Sequence, residues 1–160
     1  VLELFAFIFV LLAGLVAAPV LTILGIRTLV RSGRGDGRPD RRRAAALLSA
    51  AGAVAVYVWG ALLLSVAVLT ADDSGTDAFP IRPCREGGIE RAEKVVDYRV
   101  SYLPLRFTCV RSTGGGYTVA VPGYVNPTAG VLALTAATCA VSAAAAVRRT
   151  ARAQSPARTP

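Results

Sequence analysis

The chain has 160 residues, of which 54% are hydrophobic and 18% charged, with a formal net charge of +8 and no histidine; its mean hydropathy is +0.52. Soluble domains usually carry charge on about a quarter of their residues, so this composition excludes an ordinary soluble enzyme, a disordered chain and a disulfide-dense secreted miniprotein. The position of the charge excludes a nucleic-acid footprint. Residues 27–43 hold seven arginines against Asp36 and Asp40, a local +5. Residues 72–127 hold six arginines and Lys94 against seven acids, a local zero, and the tail from Arg148 holds four arginines and no acid. Glu3 supplies the remaining −1. The excess therefore flanks apolar blocks, the pattern that holds arginine on the cytoplasmic side of a membrane.

Residues 1–26 form the first expected transmembrane helix. Its uncharged run from Leu4 to Ile26 would extend roughly 34 Å at 1.5 Å per residue, against a hydrocarbon core of about 30 Å. A cleaved signal peptide fits less well: no basic residue precedes the run, Pro19 would follow the Val16-Ala17-Ala18 cleavage site, and the apolar run continues to Ile26. Pro19 predicts a kink, because it cannot donate to the carbonyl of Leu15. Val1 reads as a start codon other than the usual one, with little sequence expected upstream.

An Arg-rich cytoplasmic loop is expected over 27–43. The second span is expected over 44–71, between Arg41-Arg42-Arg43 and Asp72-Asp73. The third is expected over 128–147, where Val131, Leu132, Leu134 and Val141 carry an alanine-rich run stopped by Arg148-Arg149. A surface-lying amphipathic helix would need a charged face there, and the run has none. Residues 148–160 read as a disordered basic cytoplasmic tail. Arg27, Arg31, Arg41, Arg42, Arg43, Arg148 and Arg149 are thus the membrane-anchoring basic residues. The expected result is a multi-pass plasma-membrane protein with its N-terminus outside and its C-terminus cytoplasmic.

Residues 72–127 are then an extracytoplasmic β-rich domain, too small to rest on its core alone. Cys84 and Cys109 are the expected staple, on the side where disulfides persist. The closed loop is worth about 3.5 kcal/mol in the chain-entropy model. Cys139, inside the third apolar run, reads as a small buried hydrophobe. Val96, Tyr98, Val100 and Tyr102 alternate with Asp97, Arg99, Ser101 and Leu103, which predicts a half-buried strand with the aromatic residues inward. Pro104 ends it or forces a bulge. Leu105, Phe107 and Cys109 predict a second strand, 112–116 a turn, and 117–121 a partner strand. Ile89 to Lys94 predicts a short helical turn, and 122–127 a stiff turn into the third span.

Chemistry is hard to find. Gly114-Gly115-Gly116 precedes a strand-like segment rather than the helix a phosphate loop requires, so it reads as a hairpin turn. Ser101 with Lys94 would need a depressed lysine, yet Glu90, Glu93 and Asp97 favour its charged form. No cysteine pair has zinc spacing, and Asp72, Asp73 and Asp77 read as a solvated turn. The apolar runs hold no charged residue beyond Glu3 at the edge, which argues against an ion-coupled pathway. Small residues recur at Gly14 and Ala18, at Gly52, Val56 and Gly60, and at Thr138, Ser142 and Ala146, spacings that permit close helix approach. Tyr57 and Trp59, near the middle of the second run, are the candidates for intramembrane packing or for a lipophilic ligand, with Thr22, Thr135 or Thr138 as expected hydrogen-bond partners.

With its arginine and alanine bias, its Pro104-Leu105-Arg106-Phe107-Thr108-Cys109 segment and its Val121-Pro122-Gly123-Tyr124-Val125-Asn126-Pro127 segment ahead of a last apolar run, the chain resembles the many small integral membrane proteins of actinobacteria, Streptomyces-like in composition. The resemblance is one of overall design and implies no activity. The expectation is a non-enzymatic membrane protein, with no cofactor, metal or nucleic acid. Its partners would be the lipid bilayer and a membrane or envelope protein met by the exported domain. The alternative is an accessory subunit of a transporter or export complex acting through its helices.

Overall fold

The structure is a computed structural model that describes residues 2–33, 38–72 and 81–154. Three helices dominate: α1 (Leu2–Ser32), α2 (Arg38–Asp72) and α4 (Val125–Gln154). All three are long and apolar enough to cross a membrane. The chain divides into two compact units: Val1–Ala55 with Thr128–Pro160, and Val56–Pro127.

In the first unit, α1 runs through Pro19 and ends where Gly33 donates its N–H to the Leu29 carbonyl. Gly25 lets α1 approach α2, since a Cβ there would lie 2.8 Å from Leu48 Cγ. Gly52 meets Leu132 of α4 in the same way, at 3.3 Å. Ala44, Ala46, Ala51 and Ala143 are the buried apolar residues here, so the packing is of small side chains and close backbones, as membrane helix contacts favour. Thr138 and Ser142 donate to the carbonyls of Thr135 and Cys139 on their own helix.

The expected 27–43 loop is mostly helix. Arg27 and Arg31 lie in the last turns of α1, and Arg41, Arg42 and Arg43 lie in the first turns of α2. Likewise α4 continues to Gln154, so Arg148, Arg149 and Arg152 are helical where a disordered tail was expected, and the rest of that expected tail, 155–160, lies outside the described residues. Arginine and alanine are strong helix formers, and hydropathy marks where the apolar run stops rather than where the helix does.

The second unit contains the 3₁₀ turn Arg82–Gly87, α3 (Ile89–Ala92), β1 (Val95–Tyr102), β2 (Leu105–Arg111) and β3 (Gly116–Val119). The strands form one antiparallel sheet in the order β1-β2-β3. Leu103 and Pro104, joined by a cis peptide bond, make the two-residue turn between the paired Tyr102 and Leu105. The β2–β3 turn closes through Arg111 N–H to the Gly115 carbonyl at 3.1 Å, with Gly114 and Gly115 at φ 86° and 78°, values suited to glycine.

Strand β2 alternates as expected, with Leu105, Phe107 and Cys109 buried. Strand β1 differs at its start. A register shift between Val95 and Asp97 leaves Val96 unpaired, so Val95 is fully buried while Val96 is 60% exposed. A bulge of this kind moves the alternation by one residue; the expected face holds at Tyr98 and Val100, which are half-buried, but not at Tyr102, which is 39% exposed at the hairpin end.

The unit begins at Val56, well before the expected domain boundary at Asp72. The second half of α2 is therefore one wall of the sheet domain. Ala61, Leu64 and Ala67 are buried at three-residue spacing, one face of the helix. This explains why 28% of the most apolar stretch of α2 is buried, against 0% for α1 and 6% for α4.

Candidate binding surface

Cys84, in the 3₁₀ turn, and Cys109, at the centre of β2, are joined by a disulfide with their Cα atoms 6.0 Å apart. Both are fully buried. Tyr117 reinforces the junction, its hydroxyl donating to the Cys84 carbonyl at 2.7 Å. Cys139 remains a free thiol, half-buried on α4.

Three contacts tie the sheet to the helix segments of the same unit. The Tyr57 hydroxyl donates to the Tyr102 carbonyl at 2.7 Å. The Tyr98 hydroxyl donates to Asp72 Oδ1 at 2.7 Å. Asn126, in the first turn of α4, clamps Leu105 from both sides: its Oδ1 accepts from the Leu105 N–H at 2.9 Å, and its Nδ2 donates to the Leu105 carbonyl at 3.0 Å. Gly60 makes room for this junction, since a Cβ there would lie 2.5 Å from Val125 Cγ1 and 3.0 Å from Leu105 Cδ1.

Tyr57 thus has a partner in β1, not in the threonines. Thr22, Thr135 and Thr138 each donate to a carbonyl one turn earlier in their own helix, the usual outcome for a hydroxyl in an apolar helix. Trp59 is 53% exposed. The arginines at 27, 31, 41, 42, 43, 148 and 149 are all exposed. Of the acids expected in a solvated turn, Asp72 is bound to Tyr98, and Asp73 and Asp77 lie outside the described residues.

Tyr98 also stacks on Phe107, with ring centroids 5.1 Å apart and planes 10° from parallel. Its hydroxyl is pushed up to about 12 by the hydrogen bond to Asp72, then by partial burial and by the negative charges of Asp72 and Asp97. Tyr98 therefore stays a neutral donor over any physiological pH.

The opposite face of β1 and β2 is open. Asp97, Arg99 and Arg106 are exposed, and Ser101 and Thr108 half-exposed. Ser101 stands across from Arg106, and Arg99 from Thr108. Lys94 precedes the strand, about 20 Å from Ser101 at strand rise, so the two form no dyad. At the hairpin tip Leu103 is 86% exposed. A shallow cleft of about 320 Å³ lies beside α2, lined by Leu63, Val66, Thr70, Arg82, Pro83 and Glu86 among others. Among the described residues, no three His, Cys, Asp or Glu side chains gather as a metal site would need.

Asn126 was not legible as a functional residue in the sequence. Its only signal is an amide placed between Val125 and Pro127 at a helix start, and its partner lies 21 residues away. Compared with protein-family models, curated proteins and solved structures, the chain matches none.

Proposed function

We propose that the chain is a non-enzymatic multi-pass membrane protein whose disulfide-bonded unit recognises a protein of the membrane or envelope on the exported side. The observation that carries this reading is the fully buried Cys84–Cys109 bridge, in a unit between helices that bear arginine clusters at their other ends. A disulfide of this kind belongs to an oxidising compartment, and arginine clusters are retained on the cytoplasmic side. Both features support the same orientation: N-terminus outside, 27–43 and the C-terminus inside. Recognition falls to the face of exposed Asp97 and Arg99 and half-exposed Ser101, where mixed charge sets association rate and specificity.

A second reading, an accessory subunit acting through its helices, is favoured by Leu62, Val66 and Leu69. They are 45%, 59% and 63% exposed and form one apolar stripe at helical spacing. One set of variants separates the two readings. A reporter fused after Arg149 should behave as cytoplasmic and one inserted near Gly115 as exported; a cytoplasmic Gly115 fusion refutes the orientation. Replacing 72–125 by a flexible linker should abolish capture of the partner that the intact chain retains. If the linker protein still holds the same partner, binding resides in the helices.

A further inference from the structure

We infer that the β1–β2 hairpin seats its Leu103–Pro104 tip in the outer interfacial layer of the bilayer, so that the sheet leans on lipid and the second half of α2 stands outside the hydrocarbon. The inference rests on the spanning reading and adds a second lipid contact to it.

Helix length supplies the first argument. A helix crosses about 30 Å of hydrocarbon in about 20 residues. Counted from Arg43 along α2, that number reaches Leu63; counted back from Arg148 along α4, it reaches Thr128. Both helices therefore leave the hydrocarbon close to Gly60 and Val125, the residues that meet inside the second unit. The candidate span in α2, Asp40–Asp72, is 33 residues long; its charge-free part, Ala44 to Ala71, is longer than one crossing requires, and the surplus is the wall that packs the sheet.

The hairpin tip lies at this same level. Its last pair is Tyr102 and Leu105. Tyr102 is bound by Tyr57, and Leu105 lies against the Gly60 position and is clamped by Asn126. Leu103, 86% exposed, is the most exposed large apolar side chain among the described residues. In water that exposure is unfavourable, whereas in the interfacial layer it is satisfied.

The surrounding residues suit the same layer. Trp59, Tyr124 and Tyr102 are 53%, 58% and 39% exposed. Amphipathic aromatic rings collect at headgroup depth. Arg106, next to Leu105 and exposed, brings a guanidinium to the height of the lipid phosphates, whose geometry it matches. Apolar tip, aromatic ring and cation together describe a lipid contact rather than a protein socket.

The single tryptophan makes the inference directly testable. The full chain is reconstituted in phosphatidylcholine–phosphatidylglycerol vesicles containing lipids spin-labelled either near the ester groups or near the chain ends. The native protein reports on Trp59. A Trp59→Phe, Leu103→Trp double variant reports on the tip, where the side chain touches little and the fold should tolerate the change. Both tryptophans should be quenched more strongly by the shallow label than by the deep one, and the tip should resist aqueous iodide. If the tip is quenched by iodide and by neither lipid label while Trp59 is lipid-quenched, the inference falls and the spanning reading stands. Stronger quenching of the tip by the deep label also refutes it. If Trp59 too escapes both lipid labels, the spanning reading falls, and the inference with it.

Discussion

Replacing Asn126 by alanine should loosen the whole sheet, because one amide side chain satisfies both backbone groups of Leu105. Leu105 is 1% exposed, so water does not replace the lost partners in the closed state. A buried backbone group left unpaired costs about 1–3 kcal/mol. Two such groups give about 2–6 kcal/mol, or roughly a 30- to 20,000-fold increase in the population of the opened sheet at about 1.4 kcal/mol per decade. The buried disulfide offers a readout. Cys109 follows Leu105 by four residues on β2, and neither bridging cysteine is exposed, so a reductant must wait for local opening. In a Cys139→Ser background, reduction by dithiothreitol followed by maleimide gel shift should accelerate by that factor in Asn126→Ala. Asn126→Asp keeps the acceptor for the Leu105 N–H but sets a carboxylate against the Leu105 carbonyl, so it should fare no better. Thr138→Ala, which removes an exposed hydroxyl on α4, should leave the rate unchanged. A rate increase below about threefold in Asn126→Ala, equivalent to roughly 0.6 kcal/mol, would refute the clamp.

Two further outcomes follow from the same unit. Gly60→Ala should destabilise by about 1–3 kcal/mol through overpacking, because its Cβ would meet the fully buried Val125 and the almost fully buried Leu105. Gly130→Ala, with nothing within 4 Å, should instead gain up to about 1 kcal/mol from helix propensity; thermal unfolding in detergent that ranks the two the other way contradicts the packing described. For Tyr98, the folded hydroxyl ionises at about 12 against 10.0 for the free side chain. Raised folded affinity for the proton means its contribution is fully present below pH 10.0 and is lost as pH climbs toward about 12. In an ultraviolet titration at full fold, one tyrosine should ionise later than its neighbours, and Tyr98→Phe should remove that late component.

Local composition was enough for much of the architecture. Uninterrupted apolar runs allow no alternative to long helices, since any other backbone would leave its polar groups unpaired in an apolar setting. Alternation in 105–109 and the Gly-rich turn foretold the β2–β3 hairpin. Cys84 and Cys109 were recognisable as a pair from the expected compartment and the small size of the segment that holds them. Hydropathy could not say that α2 serves two neighbours, because Ala61, Leu64 and Ala67 are as apolar against a sheet as against lipid. Nor could periodicity foresee the bulge at Val96, which depends on pairing with β2. The polar contacts that dock the sheet, Tyr57 to Tyr102, Tyr98 to Asp72 and Asn126 to Leu105, join residues between 21 and 45 positions apart. Each is an ordinary residue in its own neighbourhood. Side-chain period and turn chemistry act over a few residues and are written in the sequence, whereas partners distant along the chain are chosen only when the folded backbone brings them together.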